Sequence, residues 1–154
     1  MSDNSLTKEA VTCAIRHIGT GVYSSGKIRF YLIQKGYSEG VAIDAVKHLI
    51  ATGYIDDMRA SRKVLAARSG KKQESRQFIY KRLLEAGIAS DCADEIIASL
   101  DSDNNTCLQL FEASFGGDNN DDFSDREDEF MKLAQLRGYS LETARTAFRL
   151  FLDS

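Results

Sequence analysis

Ile79-Tyr80-Lys81-Arg82-Leu83-Leu84-Glu85-Ala86-Gly87-Ile88 decides the fold, because the chain contains three related copies of this stretch. The first copy is 28–37 and the third is 130–139. Each copy has apolar residues eight and four positions before its glycine, which is the spacing of one helix face. The glycines themselves are 51 residues apart: Gly36, Gly87 and Gly138. A fixed period of this length predicts a tandem array of small helical modules, which presents a surface to a partner rather than enclosing a substrate.

The predicted secondary structure is helical throughout. Serines stand where they can cap helices and glycines stand where helices end. Ser124 and Glu127 match the Ser-x-x-Glu capping box of a helix N-terminus. Asp101 to Asn105 is interpreted as a polar break. The predicted helices lie near 5–18, 24–35, 38–52, 56–68, 74–86, 90–100, 106–115, 124–137 and 140–152. We therefore predict an all-α fold of three tandem three-helix repeats, with modules at 1–55, 56–103 and 104–154.

Composition places the chain among ordinary soluble proteins. Of 154 residues, 43% are hydrophobic and 28% are charged, as in typical globular domains. No apolar run approaches the roughly 20 residues that span a bilayer, and the N-terminus lacks the pattern of a secretory signal. The three cysteines are scattered, which argues against a disulfide framework. We expect a cytoplasmic protein with no membrane contact.

Charge is distributed unevenly along the chain. Residues 1–58 are neutral overall, residues 59–82 carry a net charge of +8, and residues 83–154 carry −11. The middle segment is predicted to bind a polyanion. Because few aromatic residues are interleaved for base stacking, we expect contacts with the backbone of a nucleic acid rather than with its bases. Its cations are Arg59, Arg62, Lys63, Arg68, Lys71, Lys72, Arg76, Lys81 and Arg82. Because such contacts are electrostatic, we expect the binding to be weak and to weaken further as salt rises.

Two motifs resemble ligand sites without completing them. The stretch 21–27 matches the spacing of a phosphate-binding loop, but Ile28 stands where Ser or Thr would hold Mg²⁺. The stretches 101–112 and 118–129 resemble EF-hand loops, but Thr106 and Phe123 occupy the position that requires glycine. We therefore predict neither a nucleotide cofactor nor a metal site.

Catalytic constellations are also missing from the sequence. The chain has two histidines, His17 and His48, which are isolated from each other in the sequence. We interpret both as structural, and Cys92 and Cys107 as small apolar residues of the core. No catalytic residue is predicted, and the protein is expected not to be an enzyme.

Gly53-Tyr54-Ile55-Asp56-Asp57-Met58-Arg59 resembles a motif of the RecX regulatory family. That family has Gly-aromatic-aliphatic-Asp-Asp-x-Arg between its first and second modules. The likeness continues through 67–70 and 79–88, and resumes at 130–139. The motif residues that we assign to this junction are Gly53, Tyr54, Asp56, Asp57 and Arg59.

This resemblance implies a particular function. It implies tandem three-helix repeats in a curved, elongated monomer that binds along a RecA recombinase filament on single-stranded DNA. It further implies a regulator without chemistry of its own, which restrains the ATPase and strand exchange of RecA. Asp57, Arg59 and Arg68 are the matching residues at and after the junction.

Two other function classes remain open. A helical protein-binding scaffold without nucleic-acid contact is favoured by the acidic last third of the chain, since an acidic surface repels DNA. A nucleotide-hydrolysing enzyme rests on the incomplete phosphate-loop match at 21–27 alone.

Overall fold

A computed structural model describes residues 3–117 and 123–154, and every regular element in that part of the chain is helical. The all-α class is therefore confirmed. Short 3-10 turns lie at Gly70–Lys72 and Ser124–Arg126. The α-helices of the described residues are α1 (Asp3–Ile18), α2 (Ser25–Gln34), α3 (Glu39–Ala51), α4 (Asp57–Ala66), α5 (Arg76–Glu85), α6 (Ser90–Ser99), α7 (Asp103–Phe115), α8 (Glu127–Leu136) and α9 (Leu141–Leu152).

The two largest differences between the predicted and observed helix starts are at α7 and α8. Helix α7 begins at Asp103, within the predicted polar break, because the Ser102 hydroxyl accepts a hydrogen bond from Asn105 N–H and caps the helix. The capping-box prediction at Ser124 and Glu127 was wrong. Ser124 belongs to a 3-10 turn, and Glu127 is the first residue of α8.

The chain divides into two compact units. The first comprises Met1–Val64 with Leu83–Asp94, and the second comprises Leu65–Arg82 with Glu95–Ser154. Each unit includes part of the predicted middle module 56–103. The module boundaries and the tandem arrangement of the repeats stay predictions.

The core of the first unit is formed by α1, α2 and α3. Helix α3 packs against both other helices, and Ile28 and Leu32 of the first repeated stretch are fully buried. Ile55 enters the same cluster from the turn after α3. The partner residues are small or aliphatic: Ala10, Ala14, Ile18, Val41, Ala42, Ala45, Val46 and Leu49.

Aromatic residues dominate the core of the second unit. Phe130 is fully buried and its ring centroid lies 4.9 Å from that of Phe111 and 3.9 Å from that of Phe115. Phe148 and Phe151 of α9 contact the same ring. The third copy of the repeated stretch therefore presents a phenylalanine where the first two copies present isoleucine.

The repeated glycines do more than end helices. Gly36, Gly87 and Gly138 all have positive φ, at 104°, 86° and 90°, which L-residues with side chains rarely adopt. A Cβ on Gly87 would lie 2.9 Å from Lys27 N, at the first turn of α2. A Cβ on Gly138 would lie 2.5 Å from the Phe78 ring, at the first turn of α5. The same close approach thus occurs once within each compact unit, 51 residues apart along the chain.

Candidate functional site

The junction motif ends α3 and starts α4 in the first unit. Gly53, at φ 85°, follows the helix C-terminus. Ile55 is buried in the core. The Asp56 side chain accepts a hydrogen bond from Arg59 N–H at 3.2 Å, as an N-cap residue does. These motif residues therefore position the start of α4.

Asp57 makes the most hydrogen bonds of the motif. Its carboxylate accepts hydrogen bonds from Ser25 N–H at 2.7 Å, from the Ser25 hydroxyl at 2.6 Å and from Ala89 N–H at 3.0 Å. Helix α2 begins at Ser25, α4 begins at Asp57 itself, and α6 begins at Ser90, next to Ala89. One carboxylate therefore lies at three helix N-termini, where backbone N–H groups and helix dipoles favour negative charge.

This arrangement uses the backbone donors of the phosphate-loop match. Ser25 N–H binds Asp57, Gly26 N–H donates to Gly87 C=O at 2.8 Å, and Lys27 N–H donates to the Ser24 hydroxyl at 3.3 Å. A phosphate-binding loop needs such groups directed at the ligand. The stretch 21–27 therefore leads into α2, and these backbone N–H groups donate to other protein groups. They are not directed at a nucleotide phosphate, which argues against the nucleotide-binding interpretation.

The rest of the junction is open to solvent. Tyr54 is 47% exposed and Met58 is 48% exposed. Arg59, Arg62 and Lys63 are exposed along α4, as their helical spacing predicts. The predicted site residues of this motif thus fall into two groups: structural hydrogen-bonding residues, and surface residues available to a partner.

In the second unit, the basic segment surrounds a buried acid. Glu74 is 2% exposed, and its carboxylate is contacted by both Arg68 and Arg82. Gln73 lies beside it, with its side-chain amide donating to Glu74 C=O at 3.0 Å. The sequence pattern predicts no role for this acid, which lies within the +8 segment.

Arg76 binds the end of a neighbouring helix. Its guanidinium Nε donates to Asp101 C=O at 3.2 Å, and Nη2 donates to Leu100 C=O. These carbonyls follow α6, where a cation compensates the helix dipole. Its backbone N–H donates to the Asp103 carboxylate at 2.9 Å. Arg76 therefore has a structural role, whatever further contacts it makes.

Lys71 and Lys72 are presented differently. Both are exposed on the 3-10 turn Gly70–Lys72. Arg137 anchors this turn through two hydrogen bonds. Its Nη2 donates to Lys71 C=O at 3.1 Å, and its C=O accepts from Ser75 N–H at 3.0 Å. A turn anchored through its backbone leaves the lysine side chains directed to solvent. The exposed predicted cations are Arg59, Arg62 and Lys63 in the first unit, and Lys71, Lys72 and Lys81 in the second.

The first EF-hand match is not a calcium loop. Asp103 and Asn105 lie within α7, and the Asp103 carboxylate binds Arg76 N–H instead. The second match, 118–129, includes residues 118–122, which lie outside the described residues. Among the described residues, no group of three or more His, Cys, Asp or Glu side chains could hold a metal ion.

The cysteines differ in their burial, and both histidines are exposed. Cys107 is fully buried, and burial, with a smaller effect of the nearby Asp103 charge, raises the pKa of its thiol to about 12. Cys92 is half-buried, with Sγ 3.3 Å from Met58 Sδ. The His17 ring stacks on Tyr31 with centroids 3.8 Å apart.

Within the residues the structure describes, no helix is long and apolar enough to cross a membrane.

Comparison with known proteins finds a relative and a solved structure that are similar to this chain, although no family model matches it. The chain is 25% identical over 152 residues to a protein named Regulatory protein RecX from Pelodictyon phaeoclathratiforme (strain DSM 5477 / BU-1). The alignment covers 99% of this chain and 94% of that relative. The crystal structure of RecX from Lactobacillus salivarius has the same fold, with a TM-score of 0.68 and 12% identity over 94% of this chain and 96% of that one. The resemblance to the RecX family that the junction motif indicates is therefore confirmed over nearly the whole chain.

Proposed function

We propose that this protein is a non-enzymatic regulator that binds a RecA recombinase filament and lowers its ATPase and strand-exchange activities. The observation that carries the proposal is the similarity to a regulatory RecX protein over 99% of the chain. The shared fold and the junction motif support it, because both extend the likeness beyond a short local match. We further propose that the protein is cytoplasmic and acts as a monomer.

A second part of the proposal concerns DNA. Lys71 and Lys72 are exposed side by side on an anchored turn, and Lys81 is exposed on α5, in the same compact unit. We propose that these lysines contact the phosphate backbone of the single-stranded DNA within the filament. Arg59, Arg62 and Lys63 are exposed on α4 and are proposed as further contacts with DNA or with RecA. Such contacts supply affinity without reading sequence.

A strand-exchange assay tests this function. RecA is assembled on circular single-stranded DNA, homologous linear duplex is added, and joint molecules are followed on a gel with increasing amounts of this protein. We expect joint-molecule formation to fall when the concentration of this protein is still below that of RecA. Unchanged strand exchange at several-fold excess over RecA would rule out the proposed function.

A protein-binding scaffold is the second candidate. Leu136 and Leu141 are 67% and 55% exposed, and they lie in the acidic last third of the chain, which does not suit DNA. A protein partner would cover these leucines. Stable capture of a protein partner, together with no shift of single-stranded DNA at low salt, would favour this candidate over a DNA-contacting regulator.

A further inference from the structure

Glu74 is the single acid of the segment 59–82, and its position is unusual for an acidic residue. Its side chain is 3% exposed, whereas those of Arg68 and Arg82 are 31% and 35% exposed. Ionised side chains are rarely buried to this extent unless they are paired. Here the carboxylate is enclosed, while the two arginine side chains bound to it are partly open to solvent.

The two arginines contact the Glu74 carboxylate as they would contact a bound oxyanion. Arg82 approaches with two nitrogens, Nε at 3.3 Å from Oε1 and Nη2 at 3.2 Å from Oε2. Arg68 Nε lies 3.7 Å from Oε1, which is a looser ion pair. The planar fork of a guanidinium binds the oxygens of a carboxylate and of a phosphate with the same geometry. Two arginines converging on one anion therefore suit either ligand.

We propose that Arg68 and Arg82 form a binding site for a phosphodiester of single-stranded DNA, and that Glu74 competes with DNA for this site. In the free protein the carboxylate holds both guanidiniums and lowers the local charge of the three side chains to +1. DNA binding is weakened because each arginine has to leave an internal anion before it gains a phosphate. This inference rests on the proposed DNA contact and adds a built-in restraint to it.

Binding of an unstructured, fluorescein-labelled oligo(dT) over a range of salt concentrations tests the competition. Glu74→Gln keeps the side-chain volume, removes the competing charge and raises the local charge to +2. Glu112→Gln is the matched control, because Glu112 is an exposed acid in the same unit and the change in net charge is identical.

The expected result is tighter binding by Glu74→Gln than by either the wild type or Glu112→Gln. The slope of log K against log salt should steepen by about 0.7 for each phosphate gained on a single strand. For one added phosphate, a fourfold reduction in salt then increases the affinity of the variant by about 2.6-fold more than that of the wild type. Equal or weaker binding by folded Glu74→Gln would overturn the inference.

A second variant keeps the test valid if Glu74→Gln does not fold. Because Glu74 holds Arg68 in the free protein, Arg68→Gln alone should reduce DNA affinity less than Lys71→Ala does. A loss from Arg68→Gln as large as that from Lys71→Ala would mean that Glu74 does not restrain Arg68, which contradicts the competition. If Glu74→Gln folds, adding Arg68→Gln to it should remove most of the gained affinity.

The failures of the two proposals are distinguishable. If the wild type and Glu74→Gln both fail to bind the oligonucleotide at low salt, the DNA contact and the competition fall together. If the wild type binds and Glu74→Gln binds no better, only the competition is wrong. Binding by Glu74→Gln alone would support the competition directly.

Discussion

Asp57 accepts two hydrogen bonds from Ser25, one from its backbone N–H at 2.7 Å and one from its hydroxyl at 2.6 Å. The two residues are 32 positions apart, at the first positions of α4 and α2. The second unit has a similar pair, because Asp103 at the start of α7 accepts a hydrogen bond from Arg76 N–H at the start of α5. Among the described residues, a carboxylate at the start of one helix thus caps an earlier helix once in each unit.

Replacing Asp57 with Asn should destabilise the first unit. The amide keeps the shape of the carboxylate but places an NH₂ group against donors, and it loses the charge that strengthens the hydrogen bonds. Hydrogen bonds to charged groups contribute about 1.5–3 kcal/mol each, so we expect the free energy of unfolding, measured by urea titration, to fall by about 2–3 kcal/mol.

Asp56→Asn is the control for this change. Asp56 caps α4 through Arg59 N–H, and Asn serves about as well as Asp at an N-cap. We therefore expect a much smaller loss for Asp56→Asn. Equal destabilisation by the two variants would contradict the role given to Asp57.

The repeated glycines should differ in their tolerance of alanine. All three have positive φ, so each substitution carries backbone strain. A Cβ added to Gly36 would have no atom within 4 Å, whereas Gly87 and Gly138 face the first turns of α2 and α5. Overpacking should add about 1–3 kcal/mol at these two positions. Urea denaturation that ranks Gly36→Ala with the other two variants would contradict the close approach.

These glycines also show what the sequence could and could not predict. The 51-residue period and the apolar residues around it predict the helices, because helix periodicity is a local property. The close approach of Gly87 to Ser24 joins residues that are distant in the sequence, and no local pattern encodes it. The same limit applies to Glu74, whose pairing with Arg68 and Arg82 depends on how the turn before α5 folds back. Charge counting along the chain therefore overstates the number of cations that are open to a partner.

Cys107 should resist thiol reagents in the native protein. Burial raises the pKa of its thiol to about 12, and the thiolate is the reactive form. With Ellman's reagent at a mildly alkaline pH, we expect the half-buried Cys13 and Cys92 to react before Cys107. A Cys13→Ser, Cys92→Ser variant isolates the third thiol. Rapid labelling of that variant under native conditions would show that the core around Cys107 opens readily.

The same pKa predicts how stability depends on pH. A thiol in the unfolded chain ionises near a pH of about 8.5, whereas Cys107 in the folded protein keeps its proton until the pH approaches about 12. Between these values the unfolded state binds fewer protons, so the free energy of unfolding falls as pH rises. Cys107→Ala should lose less stability than the wild type between a pH of about 8.5 and a pH of about 10.5. Parallel pH profiles for the two proteins would contradict this assignment.

Removal of the two lysines of the anchored turn should weaken DNA binding. In Lys71→Ala, Lys72→Ala we expect the salt dependence of oligo(dT) binding to fall by about 0.7 for each phosphate that is no longer bound. Lys132 and Arg145 are exposed cations elsewhere in the second unit, and their double alanine variant has the same net charge. The control should bind nearly as well as the wild type. Equal losses in the two double variants would indicate a general charge effect rather than a site.

The most direct test of the central claim is the steady-state ATPase rate of RecA on single-stranded DNA. The protein is added to preformed filaments, and ATP hydrolysis is followed with wild type and with the Lys71→Ala, Lys72→Ala variant. If this chain is a RecX-like regulator, the rate falls progressively with wild type and falls less with the variant. An ATPase rate that stays constant at several-fold excess of folded wild-type protein over RecA would contradict the account.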